Sequence, residues 1–326
     1  MPGVTIREVA KEAGVSIATA SRALNGIVTV APELAERVRA SALRLGYVPN
    51  NVGRALRLQQ SNSWAVIVQE LNAFITAVVA AAENMAEQAG VSVYLGITGY
   101  DVERERRYLQ ASISQRVSGL IVGGASNPIA FDGIDVPVVF FDRSYPESRH
   151  DSVSIDNEQA GRLVADHFFE QGFRRIAYIS DDVPGTPVAG RTAGFLAALA
   201  EKGVGIPPEY RRQTRLTLAG GKAAMLELLD LPEPPAAVFC VNGPTTQGAY
   251  LALQARREPE VALAGSDDED WTSLATPTVT VVRQPVVDIG EAAARLLVQR
   301  TLGFTSPPQN VVLQPALIVR ESSRGR

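Results

Sequence analysis

The stretch "VTIREVAKEAGVSIATASRALNG", residues 4–26, decides the fold of the first part of the chain. Thr5 followed three residues later by Glu8 is a capping box, which predicts that a helix begins between them. Gly14 supplies the left-handed residue that ends this helix, and Ser16 caps a second helix. Two helices joined by a three-residue turn predict a helix-turn-helix, whose second helix fits the major groove of DNA.

Apolar residues at helical spacing predict a small core for this head. On the second helix Ala20 and Leu24 lie four residues apart and face the first helix. A third helix begins near Pro32 and closes the core with a stripe formed by Leu34, Val38, Ala42 and Leu45. The opposite face of the second helix carries Ile17, Ala18, Ser21, Arg22 and Asn25.

Composition and charge separate this head from the rest of the chain. The 326 residues are 46% hydrophobic and 20% charged, which is typical of a folded globular protein. The first sixty residues hold eight Lys and Arg against four Glu, whereas the whole chain has a net charge of −4. A basic head on an acidic remainder favours contact between the head and a polyanion, although charge alone leaves chance fluctuation open.

The cellular compartment follows from what the sequence lacks. No apolar run reaches the length of a membrane span, and the first residues lack the apolar segment of a signal peptide. Cys240 is the only cysteine, so no internal disulfide can form. We therefore expect a cytoplasmic protein with no membrane partner.

The head resembles the DNA-binding domain of the lactose-repressor (LacI/GalR) family of bacterial transcription regulators. The match continues through "YVPN" (47–50) into "NVGRALRLQQS" and then along essentially the whole chain. A helical pair that packs only against its own protein is the alternative. The resemblance implies that Ile17, Ala18 and Arg22 read bases, with a bidentate contact from Arg22 to guanine. It assigns phosphate contacts to short polar side chains, namely Thr5, Ser16, Thr19, Ser21 and Asn25.

The resemblance also implies a hinge helix after the head, at residues 49–61. Asn50 can cap this helix, but a two-turn helix that contains Gly53 is marginal on its own. In the family such a helix forms on the operator, where Leu56 matches a leucine wedge that enters the minor groove. We expect Asn50, Arg54 and Leu56 to contact DNA; a plain linker, with Leu56 packed on the body, is the alternative.

From Trp64 onward, short β-branched strands alternate with helices, which predicts parallel sheets covered by helices. The expected strands are "WAVIVQEL", "VSVYLGIT", "SGLIVGG", "VPVVFFD", "RRIAYIS", "RRQTRLTL", "AAVFCVN" and "VALAGSDD". Two such series imply two Rossmann-like lobes with a cleft at the strand ends. The fold class is therefore a small all-α helix-turn-helix head plus an α/β core that resembles periplasmic binding proteins.

The resemblance sets the expected domain boundaries. They are a helix-turn-helix domain at 1–48, the hinge and linker at 49–61, and an effector-binding core at 62–326. Chain crossings near 157–161, 283–284 and 320–321 divide the core into two discontinuous lobes. The first is about 62–158 with 285–320, and the second is about 161–283 with 321–326.

Polar residues at the strand ends indicate a ligand in the cleft. Asp142, Asn242 and Asp267 follow strands, and Arg191 opens the helix "RTAGFLAAL". Carboxylates, an amide and a guanidinium form a set suited to hydroxyl groups. Phe74, in the first strand–helix loop, can supply an apolar wall. Helix caps for the two aspartates, a surface ion pair for Arg191 and ordinary core for Phe74 are the alternatives.

Two departures from the family pattern leave the ligand open. Asn242 is followed by Gly243, where the family commonly has Asn-Asp, so one polar group is missing. Leu216 falls near a position where several members place an aromatic ring, and Arg215 beside it is unusual. We expect a polyhydroxylated effector such as a sugar. A nucleobase-type corepressor is the main rival.

Three classes of function compete, and the ligand-gated DNA-binding regulator leads. The sequence has no Walker loop, strand-linked GxGxxG or paired His/Cys metal cluster, so we expect no enzyme activity, cofactor or metal. A cytoplasmic solute-binding protein is opposed by the DNA-binding head. A homodimer is expected, because the five residues after Glu321 are too few for an additional oligomerisation helix. Ligand and DNA affinities should be linked through lobe rotation.

Overall fold

The computed structural model describes residues 4–24, 30–47, 61–124, 128–143, 145, 148–181, 183, 185–257 and 260–324. The chain divides into two compact units, Met1–Ser61 and Asn62–Arg326. The first unit contains three helices among its described residues, and the second contains two sheets with helices around them. Within the described residues, none of the helices has the length and apolarity needed to cross a membrane.

The head helices form where the sequence signals place them. Helix α1 spans Ile6–Glu12, α2 spans Ile17–Leu24 and α3 spans Pro32–Leu45. The Glu8 carboxylate accepts hydrogen bonds from Thr5 N at 2.7 Å and from Thr5 Oγ1 at 2.8 Å. These bonds hold the pKa of Glu8 below its ordinary value. The start of α1 therefore agrees with the capping-box prediction.

The turn between α1 and α2 uses a glycine in the left-handed region. Gly14 has a φ of +63°, a conformation that costs little only without a Cβ atom. The Ser16 hydroxyl accepts a hydrogen bond from Thr19 N at 3.0 Å and caps α2, as predicted. Arg37 of α3 donates from Nε to the carbonyl of Ala13 at 2.9 Å. This contact ties the third helix to the end of the first.

Small side chains let the three head helices approach closely. The buried core of the head consists of Val9, Ala10, Ala13, Ala20, Ala23, Ala35, Val38 and Ala42. Around these residues pack the partly buried Ile6, Val15, Leu24, Val30, Leu45 and Tyr47. The predicted inner face of α2 is thus confirmed, because Ala20 is fully buried and Leu24 packs against it.

The first sheet of the core contains six parallel strands in the order β11-β5-β4-β3-β1-β2. Strands β1, β3, β4 and β5 are buried along their whole length, as expected for strands covered on both faces. The bounds are β1 Ser63–Val68, β2 Ser92–Ile97, β3 Gly119–Gly123, β4 Val138–Phe141, β5 Asp151–Ile155 and β11 Asn310–Leu313.

The second sheet repeats this arrangement in the order β12-β10-β9-β8-β6-β7. All pairings are parallel except that between β10 and β12. The bounds are β6 Ile176–Ser180, β7 Arg211–Gln213, β8 Ala237–Cys240, β9 Ala262–Ser266, β10 Thr280–Arg283 and β12 Ala316–Ile318. The expected strand at 211–218 is too long, because Thr217 instead caps the following helix through Gly220 N at 3.1 Å.

The core helices pack in pairs over the two sheets. They are α4 Ala73–Gln88, α5 Val102–Ser114, α6 Asn157–Glu170, α7 Pro187–Glu201, α8 Leu218–Leu229, α9 Gly243–Arg256, α10 Asp270–Leu274 and α11 Val286–Thr301. Helix α6 packs on α7, α8 on α9 and α4 on α11. Glycines make the first contact close: a Cβ atom on Gly161 or Gly194 would lie 1.9 Å from a backbone oxygen of the other helix.

The chain passes between the two sheets three times. It crosses after β5, which ends at Ile155, and again between β10, which ends at Arg283, and α11. The third crossing differs from the expected position at 320–321. Strand β12 already pairs with β10 of the second sheet, so the chain changes sheets between Leu313 and Ala316. Residues 316–320, expected in the first lobe, therefore lie with the second.

Candidate functional site

Helix α2 of the head presents one face to solvent. Ile17 is 47% exposed although it is apolar, and Ala18 and Arg22 are exposed beside it. Thr19 and Ser21 are partly exposed, whereas Ala20 on the opposite face is fully buried. Such a face suits contact with base edges in the major groove. An arginine can donate to guanine acceptors, and an apolar side chain can contact a thymine methyl group.

Only some of the other predicted DNA contacts lie within the residues that the structure describes. Thr5 is exposed at the start of α1, but its hydroxyl donates to Glu8. Ser16 uses its hydroxyl to cap α2, so its structural role is independent of DNA. The predicted contacts Asn25, Asn50, Arg54 and Leu56 lie outside the described residues, and their roles stay predictions.

In the second lobe, three predicted effector residues lie near the carboxyl edge of the sheet. Asn242 is the second residue after β8, Asp267 follows β9 directly, and Arg191 lies in the first turns of α7. In open α/β sheets ligands bind in the crevice outside the carboxyl ends of the strands. The fold therefore puts these side chains at the edge where a ligand of this type of domain is expected.

Arg191 is an internal residue of this lobe. Its side chain is 4% exposed, with Nη1 donating to the carbonyl of Val241 at 2.8 Å and Nε to Asn157 Oδ1 at 3.0 Å. The close contact of α6 and α7 brings Asn157 within reach. The surface ion pair considered from the sequence is therefore wrong, because the guanidinium is buried and bonded to neutral oxygens.

Asp267 and Asn242 are both fixed by neighbouring backbone and side chains. Asp267 Oδ2 accepts from Gly243 N at 3.0 Å, and its Oδ1 accepts from Gln284 Nε2 at 2.6 Å. Asn242 caps α9 by accepting from Thr245 N at 3.1 Å. Asp267 does not cap the helix that follows it, since Glu269 holds the cap position of α10, but its bond from Gly243 N caps the first turn of α9.

The remaining predicted residues lie on different elements. Asn242 Nδ2 donates to the carbonyl of Leu216 at 3.4 Å, so the main chain of Leu216 borders this edge while its side chain packs on the core. Phe74 was expected in a loop but is the second residue of α4, whose cap is Asn72. The Phe74 side chain is partly buried against the core.

Asp142 brings a carboxylate from the first lobe toward the second. It follows β4 directly with a left-handed φ of +70°, and its N–H donates to the carbonyl of Val153 at 3.0 Å. Burial raises the pKa of Asp142, Arg191 and Arg143 oppose that rise, and Asp267 adds to it. Asp142 therefore lies within electrostatic reach of two effector candidates on the other lobe.

Sequence reasoning missed several first-lobe residues near Asp142. Partial burial and the neighbouring Glu70 raise the pKa of Tyr100 to about 12. The charge of Arg143 opposes this rise in pKa, and the charge of Asp142 adds to it. Tyr100 also has a left-handed φ of +64°, in the segment that follows β2. The available signal was the position of Glu70 and Tyr100 just beyond strands β1 and β2.

Two of the three chain crossings touch a residue at the cleft edge of the second lobe. The hydrogen-bonded pairs are Asn157 with Arg191 at 3.0 Å and Gln284 with Asp267 at 2.6 Å. The crossings are the segments that must bend if the lobes move. A ligand that binds Arg191 or Asp267 thus acts directly on groups that hold the crossings.

A separate cavity of about 920 Å³ lies in the second lobe, away from all six predicted effector residues. Its wall includes Tyr250, Gln254 and Glu321. Tyr250 Oη and Gln254 Nε2 donate to the carbonyl of Thr276, and Glu321 Oε2 accepts from Thr278 N. These polar groups bond to neighbouring main-chain groups, as the cleft-edge residues also do, so the strand-end position is what favours the cleft edge as the effector site. Among the described residues no acidic, His or Cys cluster is placed to hold a metal ion.

Comparison with known proteins identifies the family. Residues 5–50 match the family described as bacterial regulatory proteins, lacI family, and residues 165–323 match the periplasmic binding protein-like domain. The chain is 31% identical to the transcriptional repressor CytR of Escherichia coli K12, over 98% of this chain and 96% of CytR. The chain belongs to the lacI family of bacterial regulatory proteins. It is also 31% identical, over the same shares, to the transcriptional regulator GalS of Salmonella typhimurium.

Solved structures of the family have the same fold. The Lac repressor dimer bound to operator and the anti-inducer ONPF aligns with a TM-score of 0.86 and 26% identity. That alignment covers 98% of this chain and 99% of the Lac repressor chain. The complex of the regulator CelR with cellobiose aligns with a TM-score of 0.73 and 31% identity, over 98% of this chain and 99% of CelR. The lacI-family resemblance and the two-lobed fold expected from the sequence are confirmed.

Proposed function

We propose that this chain is a ligand-responsive transcriptional repressor rather than an enzyme. It binds a pseudo-palindromic operator as a homodimer, and a small effector, such as a sugar, occupies the cleft between its core lobes. The observation that carries the proposal is the exposed face of α2, with Ile17, Ala18 and Arg22 outside and Ala20 buried behind them. The Lac repressor, which has this fold, is known as a dimer bound to operator.

DNA recognition is assigned to α2 and its flanking polar residues. Arg22 can donate two hydrogen bonds to the acceptors of guanine, and Ile17 can contact a thymine methyl group. Each head covers one half-site, so a dimer reads two half-sites related by its own symmetry. We assign residues 49–61 to the hinge, with Leu56 as the wedge; this part of the proposal rests on sequence resemblance alone.

The dimer is supported by an exposed sheet edge in the first lobe. Strand β2 ends its sheet, and Tyr94 and Leu95 on it are 54% and 43% exposed. No strand of the described residues pairs with its outer edge, and an exposed apolar edge of this kind favours association with another chain. A second copy of this chain is the occupant we propose, and Leu95→Glu should shift sedimentation from dimer to monomer. An unchanged dimer in that variant would place the interface elsewhere.

Effector response is assigned to the cleft edge, with Arg191, Asn242 and Asp267 on one lobe and Asp142 on the other. CelR, with the same fold, is known in complex with cellobiose, a sugar. Because Arg191 and Asp267 bond to crossing residues, a ligand that engages them favours one lobe arrangement over another. Operator and effector affinities are then linked reciprocally.

Operator binding tests the regulator proposal directly. Duplexes selected from random-sequence DNA by the full-length chain should be pseudo-palindromic, and affinity should fall by orders of magnitude between about 50 and 200 mM salt. Selection of no consensus, or an affinity insensitive to salt, would contradict it. A solute-binding protein would give that result while still binding a small molecule.

A ligand panel tests the effector assignment separately. Sugars and nucleobases are titrated into the wild type and into Asp267→Asn and Arg191→Gln. Loss of ligand binding in both variants, with operator binding kept, supports the cleft. Tight binding of nucleobases and of no sugar would change the effector class and leave the regulator proposal standing.

A further inference from the structure

The carboxylate of Glu269 fills the space left open at Gly243. A Cβ atom built on Gly243 would lie 2.7 Å from Glu269 Oε1 and 3.2 Å from Asp267 Oδ2. Gly243 begins α9 just after β8, and Glu269 precedes α10 just after β9, so the two meet at the carboxyl edge of the sheet. Two carboxylates therefore stand side by side over this glycine, at the edge assigned to the effector.

In the part of the chain that the structure describes, the hydrogen bonds of these two carboxylates come from neutral groups. Neither Asp267 nor Glu269 forms a salt bridge with any residue that the structure describes. The donors on Asp267 are the neutral groups Gly243 N and Gln284 Nε2. Burial raises the pKa of Glu269, the charge of Asp267 raises it further, and a hydrogen bond with Trp271 opposes the rise.

An independent observation comes from Gln284, which lies against the same pair. Its side chain is 6% exposed, and its Oε1 has no hydrogen-bond partner within the described part of the chain. A buried acceptor without a donor costs free energy, so such a group commonly awaits a ligand or an ordered water. Gln284 Nε2 donates to Asp267 Oδ1 at 2.6 Å, so the side chain that carries this acceptor is anchored on the same pair.

We propose that Glu269 is an effector-contacting residue and that the effector carries a protonated amino group, held by Glu269, Asp267 and Gln284. An ammonium group has three donors and no acceptor, which complements two carboxylates and an unpaired amide oxygen. A neutral hydroxyl offers one donor and leaves the charge of the pair uncompensated. The inference rests on the proposed function, since it assigns the ligand chemistry of the same cleft.

Calorimetry with matched sugars tests this inference on the full-length protein. The probes are D-glucose, D-galactose and D-mannose, their 2-amino forms, and their neutral N-acetylated forms, all at pH 6.5. At least one amino sugar should bind ten times more tightly than its parent sugar and its N-acetylated form. Glu269→Gln should weaken that binding about ten- to hundredfold and change binding of the parent sugar little.

Two further variants separate charge from folding. Gly243→Ala puts a methyl group 2.7 Å from Glu269 Oε1, which forces that carboxylate to shift, so it should also remove the preference for the amino sugar. Asp270→Asn removes an exposed carboxylate next in sequence and should change nothing, which controls for overall charge. All three variants are checked for the wild-type melting temperature and operator binding.

The outcomes distinguish this inference from the proposed function. If the neutral sugars bind as tightly as the amino sugars, or if Glu269→Gln keeps the preference, the inference is overturned while the sugar-responsive regulator stands. If no sugar of any kind binds, both the inference and the sugar assignment fail. Operator selection then still decides whether the chain is a regulator.

Discussion

Asp142 and Asp267 occupy equivalent positions in the two lobes. Each is the residue directly after the strand that lies third from the β11 or β12 edge of its sheet, β4 in one and β9 in the other, and their φ angles are +70° and +71°. Few residues other than glycine adopt this left-handed conformation, and aspartate is among those that tolerate it. The repeated fold therefore aims one carboxylate from each lobe at the cleft, and Asp267 contributes to the raised pKa of Asp142.

We expect Asp142→Asn and Asp142→Ala to differ in stability. Asparagine keeps the left-handed backbone at little cost and removes a charge that burial disfavours, so its free energy of unfolding should equal or exceed that of the wild type. Alanine at a φ of +70° should lose about 1–2 kcal/mol. Urea denaturation of the unliganded protein measures both, and equal stability of the two variants would contradict the prediction.

Substitutions of Arg22 and Ser16 should weaken DNA binding in different ways. Arg22→Ala removes an exposed donor to base edges and should cost about 1–3 kcal/mol on the selected operator, with a smaller loss on random duplex. Ser16→Ala removes the hydroxyl that accepts the hydrogen bond from Thr19 N and caps α2. The free energy of unfolding of the head should fall by about 1 kcal/mol. Its binding should therefore weaken on all sequences alike.

Fluorescence anisotropy with operator and scrambled duplexes, at one fixed salt concentration, compares these two variants. Circular dichroism melting of each variant accompanies the binding measurement. Equal losses for Arg22→Ala on both duplexes would show that Arg22 contacts only phosphate. A Ser16→Ala head as stable as the wild type would mean that its hydroxyl serves DNA rather than the helix.

The head could be predicted almost residue by residue because its signals are local. The Thr5–Glu8 pair, Gly14 and Ser16 each act within one helical turn, and each is found in its predicted role. In the core, alternation of strands and helices predicted eight of the twelve strands that the described residues form; β5, β10, β11 and β12 were missed, and β7 was extended too far. There Thr217 starts a helix inside an apolar run that reads equally well as a strand.

The cleft was only partly predictable, since its chemistry depends on packing between distant segments. Strand-end logic identified Asp142 and Asp267. Asn157 was missed as the partner of Arg191, because that contact needs the close approach of α6 and α7. Glu269 was missed because its significance comes from the open space at Gly243, on a different strand end.

Arg300 should be a major contributor to the stability of the first lobe. Its Nε and Nη2 donate to the two carboxylate oxygens of Asp151 at 2.8 and 2.7 Å, and the Asp151 side chain is 1% exposed. Gln309 N donates to the same carboxylate at 2.8 Å. Arg300→Met leaves a buried charge without its cation and should cost about 3–5 kcal/mol.

Two control variants accompany this prediction. One replaces both members of the buried pair, and the other replaces an exposed arginine on the same helix. Asp151→Leu combined with Arg300→Met should recover much of the loss, because no buried charge remains. Arg295→Met removes an exposed arginine from the same helix, whose nearest approach to Glu291 is 3.8 Å, and should cost less than about 1 kcal/mol. Chemical denaturation followed by tryptophan fluorescence gives all three values, and equal losses for Arg300→Met and Arg295→Met would contradict the prediction.

His167 should make the folded protein less stable as the pH falls below neutrality. Its Nε2 lies 2.7 Å from Ser323 Oγ and 3.2 Å from Ser323 O, and burial lowers its pKa below the ordinary value of 6.5. Below pH 6.5 the unfolded chain therefore binds more protons at this position than the folded chain does. The free energy of unfolding is unaffected by His167 above that pH and falls as the pH drops toward the folded pKa.

Comparison of the wild type with His167→Gln isolates this contribution, because burial also lowers the pKa of His150. Urea denaturation at pH 7.5, 6.5 and 5.5 should show a steeper loss of stability for the wild type than for His167→Gln. The difference in slope for a single site is at most about 1.4 kcal/mol per pH unit. Parallel pH profiles would mean that His167 is protonated as easily in the folded state as in the unfolded chain, despite its contact with Ser323.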